Sequence, residues 1–92
     1  MNIDEKLEKM KEKVTNIFSM DVDKSTKIIF GVDILKLKRS KIRYIIKIGY
    51  FSISLNQLDR VLKLLKRYNF KLIRLYFTEE TSMNLLIKEV KP

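Results

Sequence analysis

The stretch IRYIIKIGYFSISLNQLDRVLKLLKRYN, residues 42–69, decides the fold class, because the spacing of its apolar residues changes partway along. Over 42–50, Ile42, Tyr44, Ile46 and Ile48 alternate with Arg43 and Lys47, and a period of two turns successive side chains to opposite faces of a strand. Ser54 followed three residues later by Gln57 is a capping box, and Leu55, Leu58, Val61, Leu62 and Leu65 then fall at helical spacing. The pattern predicts a helix over about 55–68, with Asn69 placed to close it in the left-handed conformation. A half-buried strand beside an amphipathic helix needs further strands to complete a sheet and a further helix to complete a layer.

Both are present on either side. Upstream, Ile3, Leu7, Met10, Val14, Ile17 and Phe18 recur at spacings of three and four, which predicts a helix over about 3–19. Asn2 with Glu5 marks its start, and Glu5 with Lys9 forms an i,i+4 pair. Residues 27–38 predict a long strand with Ile28, Phe30, Val32 and Ile34 on one face; the alternation slips at Leu35 and Leu37, so a bulge or bend is expected between Gly31 and Leu35. Downstream, 70–78 and 83–90 predict two strands joined through Glu79, Glu80, Thr81 and Ser82. The order is α-β-β-α-β-β, an α-β-β unit written twice with little residue identity between the halves. The simplest architecture that buries both helical stripes is an α+β two-layer sandwich, a four-stranded antiparallel sheet with two helices on one face.

With 92 residues and 46% of them hydrophobic, the chain has material for one core, and residues 1–92 are expected to form a single α+β domain. Lys, Arg or Asp breaks every apolar run before bilayer-spanning length, and 1–20 lacks the apolar segment of a secretory signal, so a cytoplasmic location and no membrane partner are expected. Cysteine and histidine are both absent. Thiolate metal sites, cysteine nucleophiles, the usual neutral-pH general base and both familiar triads go with them. The expectation is a protein that is not an enzyme, with no cofactor, no catalytic residues and no metal. The close acidic pairs Asp21/Asp23 and Glu79/Glu80 read as solvated loops, and Gly31 and Gly49 stand too far apart to cradle a phosphate.

What remains is charge. The formal net charge is +9, and it is uneven. Residues 1–25 hold five basic and six acidic side chains, whereas 26–50 hold seven basic side chains and only Asp33. Within Lys36-Leu-Lys-Arg-Ser-Lys-Ile-Arg43, the residues Lys36, Lys38, Arg39, Lys41 and Arg43 crowd the tip of the first hairpin. As a projecting ribbon it could enter a groove of DNA or RNA and pair with phosphates. On the sheet face away from the helices, a strict period of two places Arg43, Ile45, Lys47, Leu72, Arg74, Tyr76, Leu86 and Lys88, with Lys27 and Ile29. Arg60, Lys63, Lys66 and Arg67 add the basic side of the second helix.

The function expected from this pattern is nucleic-acid binding with weak sequence preference. Its contact residues would be the five hairpin cations with Lys47, Arg74, Tyr76 and the four of the second helix. Tyr76 beside arginine also suits base stacking. The aliphatic residues of the same face suit docking, either as a homodimer or onto an acidic protein partner. The competing expectation is therefore a protein-interaction module, such as a small accessory, inhibitory or antidefence protein of a viral or archaeal mobile element.

Overall fold

A computed structural model of the chain describes residues 2–19, 31–49, 54–78 and 82–91. Six elements follow in order: α1 (Ile3–Ser19), β1 (Val32–Lys36), β2 (Arg43–Gly49), α2 (Leu55–Arg67), β3 (Phe70–Thr78) and β4 (Ser82–Glu89). The strands form one antiparallel sheet in the order β1-β2-β4-β3. Two α-β-β units are thus set edge to edge, with the second strand of each in the middle. Among the described residues no helix is long and apolar enough to cross a membrane.

The helices start where local chemistry places them. Asn2 Oδ1 accepts the Glu5 N–H at 2.9 Å, and Asn2 Nδ2 donates to Glu5 Oε1 at 3.2 Å. That engages the Glu5 carboxylate with Asn2 and not with Lys9, its i,i+4 neighbour. At α2 the reciprocal box is complete: Gln57 N–H donates to Ser54 Oγ at 3.1 Å and Ser54 N–H to Gln57 Oε1 at 2.8 Å. Such caps satisfy amide groups that have no intrahelical partner. Asn69, with φ of 61°, ends the helix in the left-handed region.

Both helices cover the same face of the sheet, α1 over β1 and α2 over β3. The core joins Leu7, Met10, Val14 and Phe18 of α1, Val61, Leu64 and Leu65 of α2, and the inward residues of every strand. Two exposed ion pairs tie α1 to β1, Lys36 to Asp4 at 3.0 Å and Lys11 to Asp33 at 3.6 Å. Exposed pairs of this type contribute little to stability.

Three details differ from the sequence expectation. The stripe of α2 runs through Gln57, Val61, Leu64 and Leu65. At about 100° per residue Leu55 falls some 120° away from Val61 and is 86% exposed. No bulge interrupts β1, whose pairing with β2 is continuous from Val32↔Ile48 to Lys36↔Tyr44 and is extended by the Gly49 N–H to the Gly31 carbonyl at 2.8 Å. The irregularity lies instead in β3, where Ile73 is an extra residue between Leu72↔Ile87 and Arg74↔Leu86. The bulge returns Leu72 to the helix-covered face, because the parity of a strand flips at such an insertion. The predicted strand residues 27–30, and with them Lys27 and Ile29, lie outside the described residues.

Candidate nucleic-acid interface

The face that the described residues leave uncovered is built from alternate residues of the same four strands, and the register aligns them into rows. At one end Arg43 of β2 stands opposite Lys88 of β4, which stands opposite Lys71 of β3. The next row is Leu35, Ile45, Leu86 and Arg74, and the one after it Asp33, Lys47, Asn84 and Tyr76. Rows lie about 7 Å apart, two residues along a strand. A cationic border therefore gives way to a strip that is apolar over β1, β2 and β4 and ends in Arg74 on β3, and then to a polar one.

The charge on this face is one-sided. Among the described strand positions it carries Arg43, Lys47, Lys71, Arg74 and Lys88 against Asp33 alone, and Asp33 is already paired with Lys11. Arg43, Lys71 and Lys88 belong to no ion pair among the described residues. Like charges directly opposite one another across a sheet destabilise it, so three in line is an arrangement that an anion would relieve. The row borders a concavity of about 820 Å³ whose lining adds Lys91, Glu89 and the apolar Ile73 and Val90. Glu89 belongs to the other face, opposite the buried Phe70, and reaches the concavity from its rim.

Tyr76 and Arg74 form the second feature. They lie two residues apart on β3, with the guanidinium carbon 5.4 Å from the ring centroid, a cation–π contact. Tyr76 is half-buried and stands opposite Asn84, whose Nδ2 donates to Thr78 Oγ1 at 2.7 Å.

The loop between β1 and β2 is short. The Ser40 N–H donates to the Leu37 carbonyl at 3.2 Å, closing a turn that leaves Lys38, Arg39 and Lys41 exposed. From beneath, Tyr44 Oη donates to the Lys41 carbonyl at 3.2 Å. Burial is the main cause, and the nearby Glu89 carboxylate the next, of a Tyr44 hydroxyl pKa raised above its ordinary 10.0.

The hairpin does not project as a ribbon. Its second strand is paired with β4 as far as Arg43↔Lys88, and the Glu89 N–H reaches the Ile42 carbonyl at 2.8 Å. Only the loop residues Lys38 to Lys41 stand clear of the sheet.

The expected contact residues are not gathered at one place. Arg43, Lys47, Arg74 and Tyr76 share the open face, with Lys38, Arg39 and Lys41 at its margin. Lys36 points to the covered face, where Asp4 holds it. Arg60, Lys63, Lys66 and Arg67 belong to the helix layer on the far side, and Lys63 is paired with Asp59 at 2.9 Å. Lys63 and Lys66 approach the open face only round the β3 edge, where they line a groove with Lys71. Lys71 and Lys91 were missed by pattern alone, and Lys88 and Arg43 were placed on the face without being recognised as cross-strand neighbours. Both the bulge and the strand order were needed to bring these charges together. The acidic pairs Asp21/Asp23 and Glu79/Glu80 lie outside the described residues. No protein-family model, curated protein or solved structure matches the chain.

Proposed function

We propose that the protein binds nucleic acid through its phosphates, using the open face of the sheet, with little preference for base sequence. The observation that carries this reading is the unpaired row Arg43–Lys88–Lys71 crossing three adjacent strands beside a concavity. A polyanion placed along that row relieves the repulsion within it and releases its own counterions, so affinity falls with salt. Lys38, Arg39 and Lys41 at the loop, with Lys47 and Arg74 on the face, extend the basic surface.

The test is binding of labelled oligonucleotides across a salt series. Changing Arg43, Lys71 and Lys88 together to Ala is expected to lower the slope of log affinity against log salt by about 2, three contacts at roughly 0.7 each for a single strand. Changing Arg60, Lys63, Lys66 and Arg67 to Ala removes one more charge from the helix layer and is expected to leave the slope nearly unchanged. Equal losses in the two variants would reduce the effect to net charge and overturn the assignment to this face. Binding of no nucleic acid at low salt would turn attention to an acidic protein partner. A homodimer through this face would set five cations of one copy against five of another, so self-association, where it occurs, is expected to strengthen as salt is raised.

A further inference from the structure

We infer that the nucleic acid this face accepts is a single strand, its phosphates on Arg43, Lys88 and Lys71 and its bases over Ile45, Leu86 and Tyr76. The inference rests on the phosphate-binding reading above and adds the form of the ligand. Charge complementarity names a polyanion, and the order of the rows decides between a duplex and a single strand. A duplex keeps its bases stacked on one another and offers a flat surface only sugars and phosphates. It would leave the strip Leu35, Ile45 and Leu86, which follows directly on the cationic row, without a use. A single strand presents phosphate on one side of the sugar and an unstacked aromatic ring on the other, which matches a cationic row followed by an apolar one.

The hairpin points the same way. A ribbon that reads a duplex groove must project, and this one is held in the sheet as far as Ile42. Base edges inside a groove are therefore beyond its reach. Tyr76 supplies the stacking surface. Its ring already carries the Arg74 guanidinium at 5.4 Å, and a base would extend that stack as bases do on aromatic and guanidinium planes in single-strand sites.

The chain has no tryptophan, so Tyr76→Trp introduces a single reporter at the site. Oligothymidylate is expected to quench the indole fluorescence of this variant, and to bind more tightly than the duplex of oligothymidylate with oligoadenylate. Tyr76→Ala should weaken oligothymidylate binding roughly 5- to 150-fold, the range found for loss of one stacked base, with the salt slope kept. Tyr76→Phe should bind as the native protein does, which separates stacking from loss of fold. If the duplex binds as well as the single strand, Tyr76→Ala binds normally and the Tyr76→Trp variant shows no quenching, the phosphate reading stands and the single-strand inference fails. If neither nucleic acid binds, both fail together.

Discussion

The two faces of the sheet are made from the same four strands and differ only in which alternate residues they collect. In β4 the covered face takes Met83, Leu85 and Ile87, all nearly fully buried, whereas the open face takes Asn84, itself buried between its cross-strand neighbours Lys47 and Tyr76, and the more accessible Leu86 and Lys88. In β2 the division is Tyr44, Ile46 and Ile48 against Arg43, Ile45 and Lys47. Parity is thus the variable on which both folding and the candidate site depend. One residue of slip exchanges the faces, moving cations into the core and the core into water. The bulge at Ile73 marks the one place among the described strands where parity is reset: Leu72 before it and Leu75 after it both pack toward the helices.

The largest effect expected from that comparison separates two single deletions, each removing one isoleucine. Deleting Ile45 from the middle of β2 puts the remainder of the strand out of phase with both β1 and β4. It should abolish the cooperative unfolding transition in urea. Deleting Ile73 removes only the unpaired residue, leaving Leu72↔Ile87 adjacent to Arg74↔Leu86 with every face preserved, and the transition should survive. Collapse of both variants alike would show that the bulge is required for the strand to bend, and not only to keep phase.

A smaller comparison sets Leu85→Ala against Leu86→Ala, neighbours on opposite faces. The first empties a fully buried position and should cost about 2–5 kcal/mol by chemical denaturation. The second, only partly buried, should cost well under half of that in the same measurement. Equal costs would mean that the open face is as well covered as the core, which leaves no room for a ligand there.

The same contrast explains what could be read before the fold was known. Caps are local: Asn2 with Glu5 and Ser54 with Gln57 are each complete within four residues, so the start of both helices was legible. Alternation in β2 was legible too, because the strand is central and each inward residue is fully enclosed. The edge strand β3 was not. Its residues 70–78 read as regular, yet the extra Ile73 is defined only by the partner β4, and a strict period of two sent Leu72 to the wrong face. Leu55 misled for a related reason, since an apolar residue in the first turn of a helix fits a stripe on paper whether or not a neighbour reaches it. The cationic row was hidden more deeply, as Arg43, Lys71 and Lys88 come from three strands whose order no local pattern encodes. Composition drew attention to the hairpin tip, where charge is dense in sequence, and away from the row, where it is dense in space.

Each face also holds one polar feature that its neighbours strain against. On the covered face it is Tyr44, buried with its ring edge-on to that of Phe70 at a centroid distance of 5.9 Å and its hydroxyl satisfied by the Lys41 carbonyl. Tyr44→Phe should cost about 1 kcal/mol at neutral pH, the net value of such a bond. Because burial raises the folded-state pKa above 10.0, the neutral hydroxyl favours the folded state, and that contribution is present in full below pH 10.0 and lost as pH rises through the folded value. The native protein should therefore lose stability above about pH 10 faster than Tyr44→Phe does, as read from urea midpoints of the two measured in parallel. Parallel curves would mean that the hydroxyl ionises in the folded state as freely as in the unfolded one.

On the open face the strained feature is Lys88, flanked by Arg43 on one side and Lys71 on the other. Lys88→Gln keeps most of the length of the side chain and removes the middle charge, so it should raise stability by about 0.2–1 kcal/mol for each like-charge contact relieved. The gain should be largest at low salt and shrink as screening increases, since exposed charges at this spacing lie within a Debye length. Oligonucleotide added to the native protein should raise its melting temperature by the linkage between binding and folding, and should do so less for Lys88→Gln. A residue whose replacement stabilises the free protein and weakens the complex is one retained for its ligand. If Lys88→Gln proves neutral or destabilising in the free protein, the row is already compensated within the chain, and its alignment carries no argument for a bound anion.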